Sequence, residues 1–264
     1  MRRFLTALPF ALLLLPVPGS AAPMDPSPPA AAAAATNAES FTPAQRSEIV
    51  HIVREALKSD PSILRDAVAA LQADEGLRQD AAARGAIAGS RHALVHDATD
   101  PVAGNPAGDV TVIEFFDVRC PYCRHMQPVM EQLLRADHGV RLVLKDLPVL
   151  GAASTLGARA LLAAERQGGY LRLQDLLLRS GPPSEASLRD EATALGLDWA
   201  RMQQDMADPA IQQKIDANLA LARRLGIDGT PAFIVGGKLI SGEVELAELQ
   251  RAIAEARAEP HARQ

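Results

Sequence analysis

Cysteine is almost absent from this chain: 264 residues contain two. That excludes a scaffold held by many disulfides and a four-thiolate zinc centre. Aromatic residues are also scarce, at 3%, so a core must be built mainly from Leu, Ala, Val and Ile. No basic excess exists, with 27 Lys and Arg against 32 Asp and Glu. Nucleic acid is therefore not an expected partner, since such binders carry a basic face. Long apolar runs are missing too. The main stretch, Leu5 to Leu15, is well short of the ~20 residues that cross a bilayer.

That short stretch has a different meaning. Met1-Arg2-Arg3 precedes it and Gly19-Ser20-Ala21-Ala22 follows it, the order of a secretory signal peptide cleaved after Ala21 or Ala22. No cysteine lies there to take a lipid. The paired arginines leave the export route open between the general and the twin-arginine pathway. Loss of residues 1–21 removes Arg2 and Arg3 and no acid, moving the formal charge from −5 to −7. The expected product is exported, has no membrane span, and works in a compartment where disulfides persist.

Composition divides the remainder. Residues 22–40 hold prolines at 23, 26, 28 and 29 and alanines from 30 to 35, which predicts a disordered linker. Residues 41–90 read as two helices. Thr42-Pro43-Ala44-Gln45 is a capping box with proline at the first helical position. Ile49, Ile52, Val53, Ala56 and Leu57 share one face, and after Asp60-Pro61 so do Ile63, Leu64, Ala67, Val68 and Leu71, in a second helix running toward about residue 88. Two helices bury too little area to fold alone. Self-association through 41–90 is expected, with a flexible charged stretch, Asp74 to Ser90, separating this segment from the rest. A helical hairpin packed on its own domain is the alternative.

Residues 91–264 read as α/β: a strand at Val110–Phe116, a helix from Pro121 to Ala136, and a strand from Val140 to Leu147. Helices then fill 152–226, broken at Gly168-Gly169, Gly181-Pro182-Pro183, Gly196 and Asp208-Pro209. A hairpin of Ala232–Val235 and Lys238–Ile240 and a last helix, Glu245 to Ala258, complete the chain. The order is βαβ, a helical insertion, then ββα.

Both cysteines fall between the first strand and its helix, as Cys120-Pro121-Tyr122-Cys123. At a helix start, unpaired N–H groups and the macrodipole favour an anion. The thiolate is the attacking form, and such sites lower a thiol from ~8.5 to ~3.5–7.5. Pro121 suits the first turn. Cys120 is the expected nucleophile and Cys123, one turn on, the resolving thiol. Other roles for the pair are weaker. A four-residue loop stabilises by only ~2 kcal/mol on the chain-entropy view. A metal site would draw on only His125 and His138 nearby, and haem attachment needs His where Arg124 stands. No cofactor is expected. Downstream, Thr230-Pro231 precedes a strand: the motif alone reads as an ordinary trans turn proline, and a thioredoxin-type fold would set a cis one there, facing the dithiol. Glu114 is an acid in an apolar strand and Lys145 a cation in another. Burial would force them to pair, making an acid/base couple beneath the dithiol unless one reaches solvent.

Phe115-Phe116-Asp117-Val118-Arg119-Cys120-Pro121-Tyr122-Cys123, with Gly226-Ile227-Asp228-Gly229-Thr230-Pro231, resembles the DsbA-type thioredoxin family of periplasmic thiol–disulfide oxidoreductases. The similarity spans about residues 94–258. The paired N-terminal helices resemble the suppressor-of-copper-sensitivity C proteins and related DsbA-like isomerases, in which such a segment drives oligomerisation. The resemblance implies a thioredoxin fold with an inserted helical domain behind an N-terminal helical oligomerisation segment. It implies Cys120 as attacking and Cys123 as resolving thiol, Thr230-Pro231 as the substrate-holding loop, and the Glu114/Lys145 pair. Partners would be proteins with disulfides or free thiols and a redox protein that resets the dithiol. One departure stands out. Strong oxidases of the family carry Pro-His between the cysteines, and Tyr122 removes that positive charge. An isomerase or reductase is therefore expected, with a dithiol oxidase as one alternative. A copper-binding or copper-protective protein is another, because two thiolates are soft ligands for Cu(I).

Overall fold

The computed structural model describes residues 41–259; the expected signal peptide (1–21) and linker (22–40) lie outside the described residues. Thr42 opens the first helix, α1 (Pro43–Ser59), by the expected capping box. Gln45 N donates to Thr42 Oγ1 at 3.3 Å and Thr42 N donates to Gln45 Oε1 at 2.8 Å. Asp60 ends α1, and its carboxylate accepts from Ser62 N at 3.0 Å at the start of α2 (Ser62–Gly89). No residue of α1 is buried. Ile49, Ile52, Val53 and Leu57 on α1, and Ile63, Leu64, Val68 and Leu71 on α2, are exposed apolar side chains.

One expectation changes here. The stretch from Asp74 to Gly89 is helix within α2 rather than a flexible joint. It contains no proline and is rich in Ala, with Arg78 and Arg84 beside Leu77 and Gln79, and their propensity outweighs Gly76 and Gly85. The chain divides into two compact units between Ala67 and Val68, inside α2.

In the second unit, a short α3 (Arg91–Val95) leads to a five-stranded sheet: β1 (Val102–Gly104), β2 (Val110–Phe116), β3 (Val140–Asp146), β4 (Ala232–Val235) and β5 (Lys238–Ser241). The order is β1-β3-β2-β4-β5, with β2 and β3 parallel and the other neighbours antiparallel. β2 and β3 are buried along nearly their whole length, as central parallel strands covered on both faces must be. Helix α4 (Pro121–Ala136) follows β2. Helices α5 (Ala152–Glu165), α6 (Tyr170–Arg179), α7 (Glu185–Ala194), α8 (Trp199–Met206) and α9 (Pro209–Arg224) form the insertion, and α10 (Leu246–Ala258) follows the β4–β5 hairpin. Each break within the insertion falls at one of the Gly or Pro positions named above. β1 and α3 are additions the pattern did not reveal, being three and five residues long.

Pleat alternation sorts the core into two clusters. Val112 and Phe116 face α4, the insertion and α10, together with Leu142, Leu144, Tyr170 and both cysteines. Ile113 and Phe115 face the other way, with Val143, Leu94, Leu221 and Leu225. Gly157 lets α5 approach the strand end closely: a Cβ there would lie 2.6 Å from Val118 Cγ2. The insertion thus sits against the segment that carries the dithiol.

Candidate active site

The dithiol lies where β2 hands the chain to α4. Cys120 is the N-cap of α4 in extended backbone, Pro121 occupies the first turn, and Cys123 follows one turn later. Cys120 is 4% exposed and Cys123 1%, so the second thiol is the more enclosed. The Cys120 Sγ donates to the carbonyl of Thr230 at 3.1 Å. The Thr230–Pro231 peptide is cis. Pro231 O in turn accepts from Gly242 N at 2.8 Å, which ties that loop to the end of β5. Residues 110 positions apart in sequence therefore meet.

Burial pushes the Cys123 thiol up, and the nearby Glu114 charge adds to the shift. Glu114 itself is pushed up to about 8 by burial. It faces α4 from the middle of β2, and its negative form disfavours the Cys123 thiolate. Tyr122 is 55% exposed on the rim, its ring edge-on to His125 at 6.5 Å. His125 Nδ1 stands 3.5 Å from Glu243 Oε2.

The expected Glu114/Lys145 pair does not form. In the parallel register Glu114 lies opposite Leu144, and Lys145 opposite Phe115. Alternation then puts the two side chains on opposite faces of the sheet. Lys145 bonds Asp100 and donates to the carbonyl of Ala93 at 2.6 Å. Lys214 joins them, reaching Asp100 at 2.5 Å and Asp97 at 2.6 Å. That network fastens α3 and the entry to β1 on the face away from the dithiol.

Two arrangements have no counterpart in the sequence reading. Asp117, 2% exposed, is the hub of the dithiol turn. Its Oδ1 accepts from Arg119 N at 2.8 Å, and its Oδ2 from Val149 N at 2.9 Å and Leu150 N at 3.1 Å. An acid just past an apolar strand is a turn signal of the Asx kind, but its partners 32 and 33 residues on leave no local trace. Asp146, at the end of β3, accepts from the Tyr170 hydroxyl at 2.8 Å and is pushed up to about 7 by burial. Asp146 O accepts from Asn218 at 3.1 Å, so this strand end anchors both α6 and α9.

Among the described residues no cluster of three or more His, Cys, Asp or Glu is placed to hold a metal ion, and no helix is long and apolar enough to cross a membrane.

Residues 111–254 match the DSBA-like thioredoxin domain, and residues 45–76 match the Copper resistance protein ScsC N-terminal domain. The chain is similar to a thioredoxin-like oxidoreductase from Silicibacter pomeroyi, with 44% identity, TM-score 0.62, and coverage of 64% of this chain and 98% of that one. It is also similar to Proteus mirabilis ScsC in a transitional conformation, with 28% identity, TM-score 0.60, and 83% and 98% coverage. The thiol:disulfide interchange protein DsbA of Bordetella parapertussis is 28% identical over 159 residues, 54% of this chain and 71% of that protein. A further match, 32% identical over 160 residues and covering 60% of this chain, is to the Na(+)/H(+) antiporter NhaA 1 of Salinispora arenicola; the chain spans 24% of that relative's length.

Proposed function

The chain belongs to the DsbA-like thioredoxin family, and from that premise we propose that it is an exported, periplasmic thiol–disulfide oxidoreductase that reduces and reshuffles disulfides in protein substrates. The observation that carries this reading is the Cys120 thiol at the start of α4, set against the Thr230 carbonyl beside the cis Pro231.

The chemistry follows from the placement. The Cys120 thiolate attacks one sulfur of a substrate disulfide; a bond forms between them, and the other substrate sulfur leaves as a thiolate. Two exits exist. Cys123 can attack Cys120 Sγ, releasing the reduced substrate and closing the Cys120–Cys123 disulfide; the substrate gains two electrons and the dithiol loses two. Otherwise the freed substrate thiolate, or another, attacks the mixed disulfide and returns Cys120 unchanged, so that bonds reshuffle without net redox change.

Burial keeps Cys123 protonated, so the first exit needs a base. Glu114, on the same sheet face, is the group suited to take that proton. A slow first exit gives the reshuffling exit time to occur, which favours isomerisation over plain reduction. Tyr122 in place of a cationic residue, and a helical segment with an exposed apolar stripe for self-association, support the same choice. Several dithiols in one assembly would face a misfolded substrate together. An external dithiol protein must reset the site after net reduction.

The test is recovery of activity from scrambled ribonuclease, with reduced protein titrated with Cu(I) in parallel. Reshuffling by the intact protein and its loss in Cys120→Ala are expected, and Cys123→Ala should accumulate the mixed disulfide. Full reshuffling by Cys120→Ala sinks the catalytic assignment. Tight Cu(I) binding without reshuffling would make copper handling the function instead.

A further inference from the structure

Two imidazoles on α3 take no part in the chemistry above. His92 and His96 stand one helical turn apart, at the i and i+4 positions that share a side of a helix. Both are exposed. Their ring centroids are 6.0 Å apart, with the planes inclined at 50°. Among the described residues, neither ring has a hydrogen bond or an ion pair. The acids that follow in the chain are engaged elsewhere. Asp97 accepts from Thr99 N at 2.9 Å and from Lys214 Nζ at 2.6 Å, and Asp100 is bound to Lys145 and Lys214.

The backbone beneath the pair is fixed. Leu94, between the two histidines, is 1% exposed and packs in the second core cluster. His96 N donates to His92 O at 2.9 Å, Leu94 N donates to Ser90 O at 3.1 Å, and Ala93 O accepts from Lys145 Nζ at 2.6 Å. Only side-chain torsions separate the rings from a shared centre.

We propose that His92 and His96 chelate a divalent cation of the imidazole-binding class, Zn2+, Ni2+ or Cu2+. Neutral imidazole suits these ions, whereas Mg2+ and Ca2+ take oxygen ligands. Two nitrogen–metal bonds of ~2.0–2.1 Å are met by rings at this separation after small rotations. A four-coordinate ion finds two protein ligands here, and water completes its shell. Because the spacing is held before the ion arrives, binding loses little further conformational freedom. The ion bridges the one turn of α3 and stiffens a five-residue helix that joins α2 to β1. The site stands apart from the dithiol: its ligands are nitrogens, and its ions need no thiolate.

The test uses the full mature chain with the Cys120–Cys123 disulfide closed, so that neither thiol can ligate. Calorimetric titration with Zn2+ should show an affinity that falls at least about tenfold in His92→Gln and in His96→Gln, since even a partner of a ligand costs 10–100-fold when lost. His138→Gln, outside α3, should bind as the unaltered protein does, and excess Mg2+ should not compete. Electron paramagnetic resonance with Cu2+ should show two imidazole nitrogens in the unaltered protein and one in either α3 variant. Zn2+ should also slow amide exchange of residues 93–96 in the unaltered protein alone. Unchanged affinity in both α3 variants, an equal loss in His138→Gln, competition by Mg2+, or no amide protection overturns the site.

Discussion

At the residue scale the informative groups are two buried acids facing the same side of the sheet. Glu114 ionises near its ordinary 4.5 in the unfolded chain and near 8 when folded, and Asp146 near 3.8 and 7. Between those values the folded protein keeps protons that the unfolded chain has lost, so stability must decline as pH rises through that window. The expected result is a lower urea midpoint at about pH 8 than at about pH 5, with Glu114→Gln and Asp146→Asn each flattening the profile by a few kcal/mol, an order of magnitude set by ~1.36 kcal/mol per pH unit. Parallel profiles in all three proteins would remove the assignment. The same Glu114→Gln variant should slow closure of the Cys120–Cys123 disulfide from the mixed disulfide, followed by quenched-flow alkylation. These carboxyls cost stability at neutral pH, and the one beside Cys123 is the one that the proposed exchange uses as its base.

At the element scale, Lys145 illustrates how a charge can be misassigned from a strand sequence. It is 1% exposed and bound to Asp100, whose side chain is fully enclosed. Its work is to fasten α3 and the entry to β1, two short elements with little packing of their own. Lys145→Met leaves Asp100 with Lys214 alone, and breaking one partner of a buried pair typically costs ~3–5 kcal/mol. Urea unfolding should show a loss toward the lower end of that range. Amides of residues 91–104 should exchange faster by mass spectrometry, while the dithiol reduction potential stays in place. A shifted potential with unaltered stability would restore Lys145 to the chemistry.

At the scale of the whole molecule, the exposed apolar side chains of α1 and α2 are the ground for the proposed self-association. Ile49, Ile52, Val53, Leu57, Ile63, Leu64, Val68 and Leu71 are exposed, and burying such a side chain contributes ~1.5–3 kcal/mol. A chain that leaves all of them in water forgoes much stabilisation that copies of itself would supply. Light scattering is expected to give a multiple of the chain mass for residues 22–264 and a single-chain mass for residues 91–264. Ile52→Asp/Leu64→Asp should dissociate the longer form, and ribonuclease reshuffling should fall with it while exchange of small disulfides persists. A single-chain mass for the longer form would end the oligomer proposal.

What the amino-acid order determined by itself is local. Capping at Thr42, helix-breaking Gly and Pro between α5 and α9, the apolar run of β2 and the C-x-x-C pair at its end all act within a few residues, so their effects can be read along the chain. They are enough for the order of the longer elements and for the two thiols, while β1 and α3 are too short to leave a pattern. The joint expected at Asp74–Ser90 is helix instead, because charge suggests looseness where helix propensity is the stronger effect. The tertiary structure alone decided the register of β3 against β2, and with it that Glu114 and Lys145 point to opposite faces. It also brought Thr230 against Cys120, Asp117 against Val149 and Leu150, and Tyr170 against Asp146. These contacts join residues far apart in the chain through side-chain polar groups, whose partners are chosen by packing and leave no period or spacing in the sequence.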